Sequence, residues 1–196
     1  MVARLSLCLA LLVCSFTAAT AAAFPGVNPA NRMASKPIDD YTYDHAKRCR
    51  KGPMPGTLRL QRWLEANVRG VSWGIMRCEK LGRGNYSLHA AGRAIDWHLS
   101  VHSRADRRAA RKLIRLLLAT DRAGNEHALA RRMGVQEIIW DCRSWWSGSS
   151  GMGRYSLCYN SRGRPVRIDD TSAHRDHIHI GLNVAGARGR TSFWLR

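Results

Sequence analysis

The chain has 196 residues, with 32 Lys and Arg against 14 Asp and Glu, a formal charge of +18. So basic a surface adheres to polyanions such as nucleic acid, acidic headgroups or envelope polymers, and charge alone selects none of them. Beyond residues 1–23 no segment approaches the length of a membrane span and no internal repeat is visible, which excludes a spanning helix and a repeat array.

Residues 1–23 read as a secretory signal peptide. Arg4 gives a positive start, Leu5 to Phe16 a short apolar core, and Ala21-Ala22-Ala23 a cleavage site. Cleavage is expected before Phe24, leaving a secreted chain of about 173 residues, enough for one domain with a core. Cys8 and Cys14 leave with the leader. Cys49, Cys78, Cys142 and Cys158 remain, an even set that predicts two disulfides in an oxidising compartment. Of three pairings, Cys49–Cys78 with Cys142–Cys158 is favoured because each closes a local loop. A thiolate zinc site is the rival reading, weakened by the lack of any C-x-x-C spacing.

Residues 24–56, rich in Pro, Gly, Asn and charge, read as an extended N-terminal arm stapled by Cys49, ahead of a domain over 57–196. Thr57 is expected to cap a helix with Leu60, Trp63, Leu64 and Val68 on one face. Val71, Trp73 and Ile75 alternate as a strand ending near Arg77. Ala94 to Leu99 follows as a second strand. Ser103 and Asp106 have capping-box spacing before a helix whose stripe is Ala109, Ala110, Leu113, Ile114 and Leu117, with an arginine face outward. A shorter helix, about Asn125 to Met133, should end at Gly134. Val135 to Trp140 and Ile178 to Leu182 are strands, and Ser144 to Gly153 is a loop. The sum is an α+β fold: a single domain with a small, mainly antiparallel sheet flanked by helices.

Two segments carry the chemistry. Ser87-Leu88-His89-Ala90-Ala91-Gly92-Arg93-Ala94-Ile95-Asp96 offers an imidazole and a carboxylate seven residues apart, and His174-Arg175-Asp176-His177-Ile178-His179 offers three more imidazoles. A catalytic zinc takes three N or O ligands and keeps one position open. His89, Asp96 and His179 would supply that set; the plain alternative is that His89 and Asp96 only pair in a turn. His177 and His179, two apart in a strand, face the same way.

The pattern Ser-x-His-x-x-Gly-x-Ala-x-Asp with a late His-x-His resembles the zinc peptidases of the hedgehog/D-Ala-D-Ala peptidase fold, bacterial cell-wall carboxypeptidases and endopeptidases. Ser87, His89, Gly92, Ala94 and Asp96 match every fixed position. His174-x-x-His177-x-His179 is most similar to the penicillin-insensitive murein endopeptidase type. Together with Val135 to Trp140, the chain also resembles a branch of secreted actinobacterial proteins, over roughly residues 55 to 185. The resemblance implies one Zn²⁺ per chain on His89, Asp96 and His179. It implies His177 as the general base, preferred over Asp176, which would orient a neighbour. It offers His174 and Arg77 as contacts for the substrate or the developing oxyanion, each with a plain surface role as its alternative. Ser87 reads as a supporting or substrate-contacting hydroxyl, and Gly92 and Ala94 as steric necessities. His98 could share the face of Asp96, yet it, like His45, His102 and His127, reads as a surface histidine rather than a ligand. Trp140 reads as core, and Trp145 and Trp146 as groove or core.

The resulting expectation is a secreted or cell-wall-associated, monomeric zinc metallopeptidase that hydrolyses peptidoglycan stem peptides or cross-links, with anionic wall polymers held by the basic surface. No specific nucleic-acid partner is expected. The alternatives are a secreted metal-dependent nuclease, for which no motif is present, and a non-catalytic wall-binding module on the same fold.

Overall fold

Two strands without an exposed position, Val135–Trp140 and His177–Leu182, form the centre of the molecule. The computed structural model describes residues 29–195; the expected signal peptide and the first residues of the arm lie outside them. In chain order the elements are α1 (Pro29–Arg32), α2 (Pro55–Asn67), β1 (Ser72–Gly74), β2 (Lys80–Gly82), β3 (Asn85–Tyr86), β4 (Ala94–His98), α3 (Arg104–Leu118), α4 (Ala128–Met133), β5 (Val135–Trp140), β6 (Arg143–Trp146), β7 (Gly153–Arg154), a 3-10 turn at Ser156–Cys158, β8 (His177–Leu182) and α5 (Val184–Ala187). The main sheet has the order β1-β4-β8-β5-β6-β7, and each neighbouring pair is antiparallel. β2 and β3 form a separate hairpin. This is one small α+β domain with a mostly antiparallel sheet.

Alternation divides the sheet into two faces. Ile95, Trp97, Ile138, Trp140, Trp145, Ile178, Ile180 and Leu182 pack with Leu60 and Leu64 of α2, Leu113 and Leu117 of α3, and Leu129 and Met133 of α4. Burying each such leucine stabilises the fold by ~1.5–3 kcal/mol. The other face carries Asp96, His98, Glu137, Ile139, His177 and His179, a set too polar for a core.

Ser103 caps α3 as expected, its hydroxyl accepting the Asp106 amide, and Ala110, Leu113 and Leu117 are buried along it. The cap of α2 differs: the helix starts at Pro55, with Met54 at the cap. Proline's fixed φ suits the first turn and needs no donor there. Thr57 instead sits inside the helix and donates its hydroxyl to Gly92 O at 2.8 Å. α4 begins at Ala128 rather than near Asn125, because Asp121 accepts the amides of Ala123 and Asn125 in a turn and His127 is left-handed at φ 49°. Gly134 ends that helix at φ 74°, as expected.

The first edge strand is shorter than its alternation suggests. A register shift confines β1 to Ser72–Gly74, leaving Val71 and Trp73 exposed and Ile75 buried. The expected loop from Ser144 begins as a strand, since β6 pairs with β5 and buries Trp145 completely. Both favoured disulfides, Cys49–Cys78 and Cys142–Cys158, are present. The arm runs across the polar face of the sheet: Ala46 bridges to Tyr86, Asp44 N donates to Gln136 Oε1, and the Asp44 carboxylate accepts Val184 N. No helix among the described residues is long and apolar enough to cross a membrane.

Candidate metal centre

Asp96 on β4 and His179 on β8 are direct partners in the antiparallel register, so their side chains leave one face side by side. His89 reaches them from the turn before β4. Ser87 builds that turn: its hydroxyl and its carbonyl both accept the Ala90 amide. Gly92, at φ 66°, then turns the chain against the segment before α2, where a Cβ would stand 2.7 Å from Gly52 O. Only glycine fits both the conformation and the space.

The three side chains converge. His89 Nε2 lies 3.0 Å from Asp96 Oδ1 and 3.0 Å from His179 Nδ1, and the last two atoms are 3.1 Å apart. His89 Nδ1 lies 2.8 Å from Ile75 O. A carbonyl can only accept, so Nδ1 carries the hydrogen and Nε2 turns a lone pair to the centre. Arg77 Nη1 donates to Asp96 Oδ2 at 2.9 Å, occupying the outer oxygen and leaving Oδ1 facing the two imidazoles. Two imidazole nitrogens and one carboxylate oxygen, all buried and within 4.8 Å of one another, can hold a metal ion. The N,N,O composition suits zinc and other borderline divalent ions.

Electrostatics organise the same three groups. Burial opposes ionisation of Asp96, but the hydrogen bond from His179, with the adjoining imidazole of His89, outweighs it and holds the carboxyl well below the usual range. Burial also pushes His89 down, aided by the neighbouring charge of His179. At His179 burial again opposes charge, yet Asp96 and Glu137 prevail and raise the imidazole to about 9.

His177 lies two residues along the same strand face. Its Nε2 is 3.5 Å from Asp96 Oδ1, and its Nδ1 is 2.7 Å from Asp176 Oδ1. Asp176 precedes β8, so its carboxylate folds back onto its own neighbour instead of pointing away, and Thr171 donates to its other oxygen at 2.5 Å. His174, left-handed at φ 53°, lies with its ring tilted against His177, centroids 4.6 Å apart. Burial and the nearby charges of His179 and His177 lower it to about 3, so it is neutral at ordinary pH. The centre opens into a cleft of about 590 Å³ walled by Tyr43, His45, Tyr86, Trp146, Tyr155 and Leu157.

The structure thus brings together His89, Asp96, His179, His177, Asp176, His174 and Arg77, with Ser87 beneath the turn. Arg77 sits on the outer oxygen of Asp96, more than half exposed, and also pairs with Glu79 at 3.6 Å. His98 shares the face and stacks on Trp73, rings 4.5 Å apart. His45 and His102 are exposed, but His127, expected at the surface, is buried against the Tyr41 hydroxyl at 2.7 Å. Sequence reasoning passed over Glu137, whose Oε1 lies 3.2 Å from His179 Nε2, and Tyr43, which donates to Glu137 Oε2 at 3.0 Å. A glutamate inside the strand Val135–Trp140, where Gln136 is the one other polar residue, was the available signal.

Residues 49–167 match the family described as VldE, C-terminal domain, over more than half of the chain. The chain belongs to that family. The VldE C-terminal match contains both disulfides, Arg77, His89, Asp96 and Glu137, and stops before the segment His174 to His179 that completes the donor set. No curated protein and no solved structure matches the chain.

Proposed function

We propose that the chain is a secreted zinc-dependent peptidase that hydrolyses peptide bonds of peptidoglycan, as a D,D-carboxypeptidase or an endopeptidase. The observation that carries the reading is a buried N,N,O donor set at the floor of a cleft, with a carboxylate-oriented imidazole beside it. The motif likeness to zinc D,D-peptidases of the hedgehog/D-Ala-D-Ala peptidase fold points the same way.

His89, Asp96 and His179 would hold the ion, which supplies positive charge to polarise a carbonyl and acidify water. Asp176 keeps the His177 hydrogen on Nδ1, so Nε2 faces the centre as a base. On taking a proton from the attacking water, His177 becomes an imidazolium stabilised by Asp176, and it returns that proton to the departing amine. His174, neutral, is suited to donate a hydrogen bond to the substrate carbonyl or the developing oxyanion. Arg77 holds Asp96 and lines the cleft as a second cation for the oxyanion. Tyr43, Trp146 and Tyr155 offer flat surfaces to a peptide or sugar.

Two disulfides and the leader-like residues 1–23 support export, and the charge of +18 supports retention on anionic wall polymers. Incubating the zinc-loaded protein with purified murein tests the reading. New amino termini or free D-alanine are expected, lost with His179→Ala and strongly reduced with His177→Ala. Murein left intact by the loaded wild type contradicts it.

A further inference from the structure

Glu137 is a carboxylate in the middle of a central strand, 8% exposed, where an ionised group needs partners. It has two. Oε1 is 3.2 Å from His179 Nε2, in ion-pair range though short of hydrogen-bond alignment, and Oε2 accepts the Tyr43 hydroxyl at 3.0 Å. We infer that Glu137 is a positioning residue for the metal ligand His179, and that Tyr43 of the N-terminal arm holds Glu137 in place. The inference rests on the metal-centre part of the reading above.

Three features of the backbone support this. Glu137 is paired with Gly181, two residues from His179, so its side chain lies on the face of the donor set. A register shift between Val135 and Glu137 sets that pairing. Gly181 keeps the space beside the contact open, because a Cβ there would collide with Leu88 Cδ1 and stand 3.3 Å from Glu137 Cβ. An acceptor on the outer nitrogen of a ligand histidine fixes its tautomer and ring angle and makes the inner nitrogen a better donor. Tyr43 links this to the arm: its neighbour Asp44 is fastened to Gln136, Arg93 and Val184, so the hydroxyl arrives on a fixed piece of backbone. Tyr43 also packs edge-on against Trp146, rings 5.7 Å apart, which sets its angle.

Zinc affinity of the full chain, read by chelator competition, tests the inference together with the visible spectrum of the Co²⁺ form and the melting temperature of the metal-free protein. Glu137→Gln keeps the volume and removes the charge. It is expected to weaken zinc binding roughly 10- to 100-fold and shift the Co²⁺ spectrum. A purely structural role would leave both unchanged. Tyr43→Phe should weaken binding about fivefold, as for one lost hydrogen bond, and should add nothing in the Glu137→Gln background. Affinity of Glu137→Gln within twofold of wild type overturns the role of Glu137, and fully additive losses overturn that of Tyr43. Wild-type protein that binds no metal overturns the centre and this inference with it. Loaded protein that shows these shifts but leaves murein intact overturns only the peptidase reading.

Discussion

Asp96 and His179 stand opposite each other on β4 and β8, and the same register sets His98 against His177 two residues on. One antiparallel pairing therefore delivers a carboxylate, the second imidazole ligand and the candidate base to a single face. The geometry is inherited from the sheet, whose opposite face is locked by Ile95, Trp97, Ile178 and Ile180 in the core. A rigid ladder beneath the donors fixes where they converge.

Metal uptake should release a proton. In the metal-free protein His179 is raised to about 9, so at pH 7 its Nδ1 hydrogen must leave before that nitrogen can bind an ion. Calorimetry in buffers of different ionisation enthalpy is expected to show about one proton released per ion at pH 7. Apparent affinity should rise about tenfold per pH unit towards pH 9. The same shift stabilises the metal-free fold: the contribution is complete below about pH 6.5, the ordinary value, and is lost as pH rises through about 9.

Two glycines with similar backbone should respond differently to alanine. Gly84, at φ 72°, has nothing within 4 Å of an added Cβ, so Gly84→Ala should cost only the left-handed conformation, ~1–2 kcal/mol. Gly92→Ala adds contacts of 2.7 Å with Gly52 O and 3.0 Å with Pro53 Cα, and should cost more, ~2–4 kcal/mol. Because Gly92 lies between His89 and Asp96, it should weaken zinc binding too. Urea denaturation and chelator competition read the two effects.

Arg132 and Asp121 form an ion pair 2.8 Å apart with both side chains fully buried. Removing one partner strands a buried charge, so Arg132→Met should cost ~3–5 kcal/mol in thermal or urea unfolding. Burial opposes ionisation of Asp121, but Arg132 and the amides of Asn125 and Ala123 hold it down at about 2. The stabilisation is complete above about pH 4, the ordinary value, and disappears as pH falls through about 2. An acid unfolding limb in that window, diminished in Arg132→Met, is the expected profile.

The Cys142–Cys158 bridge closes a sequence separation of 16 residues, and Cys142 N also bonds Ala173 O beside His174. Replacing both cysteines by alanine should remove ~2–4 kcal/mol of stability, mainly by releasing the unfolded chain. Since Tyr155, Leu157 and His174 line the cleft, the proposed murein hydrolysis should fall as well, while zinc binding is retained.

Much of this was readable from residues alone. Periodicity located β4, β5, β8 and α3, most of whose apolar positions are used by the core. The donor set was readable because His89 and Asp96 are close in sequence and His179 sits in a matching strand. Short edge pieces were not readable: β1 is cut by a register shift, and β6 is a strand only because β5 lies beside it. Glu137 and Tyr43 escaped because their pairing spans 94 positions, and Tyr43 carries no local pattern. The fold of Asp176 back onto His177 depends on β8 starting at His177, a boundary that periodicity leaves uncertain by a residue.

Metal content is the most direct measurement. The full chain, stripped, dialysed against zinc and freed of excess ion, should retain one zinc per molecule by atomic emission. His89→Ala, Asp96→Ala and His179→Ala should each lose it while keeping the wild-type circular dichroism spectrum. Wild type without zinc, or any of the three variants retaining the full equivalent, would contradict a metal centre on His89, Asp96 and His179.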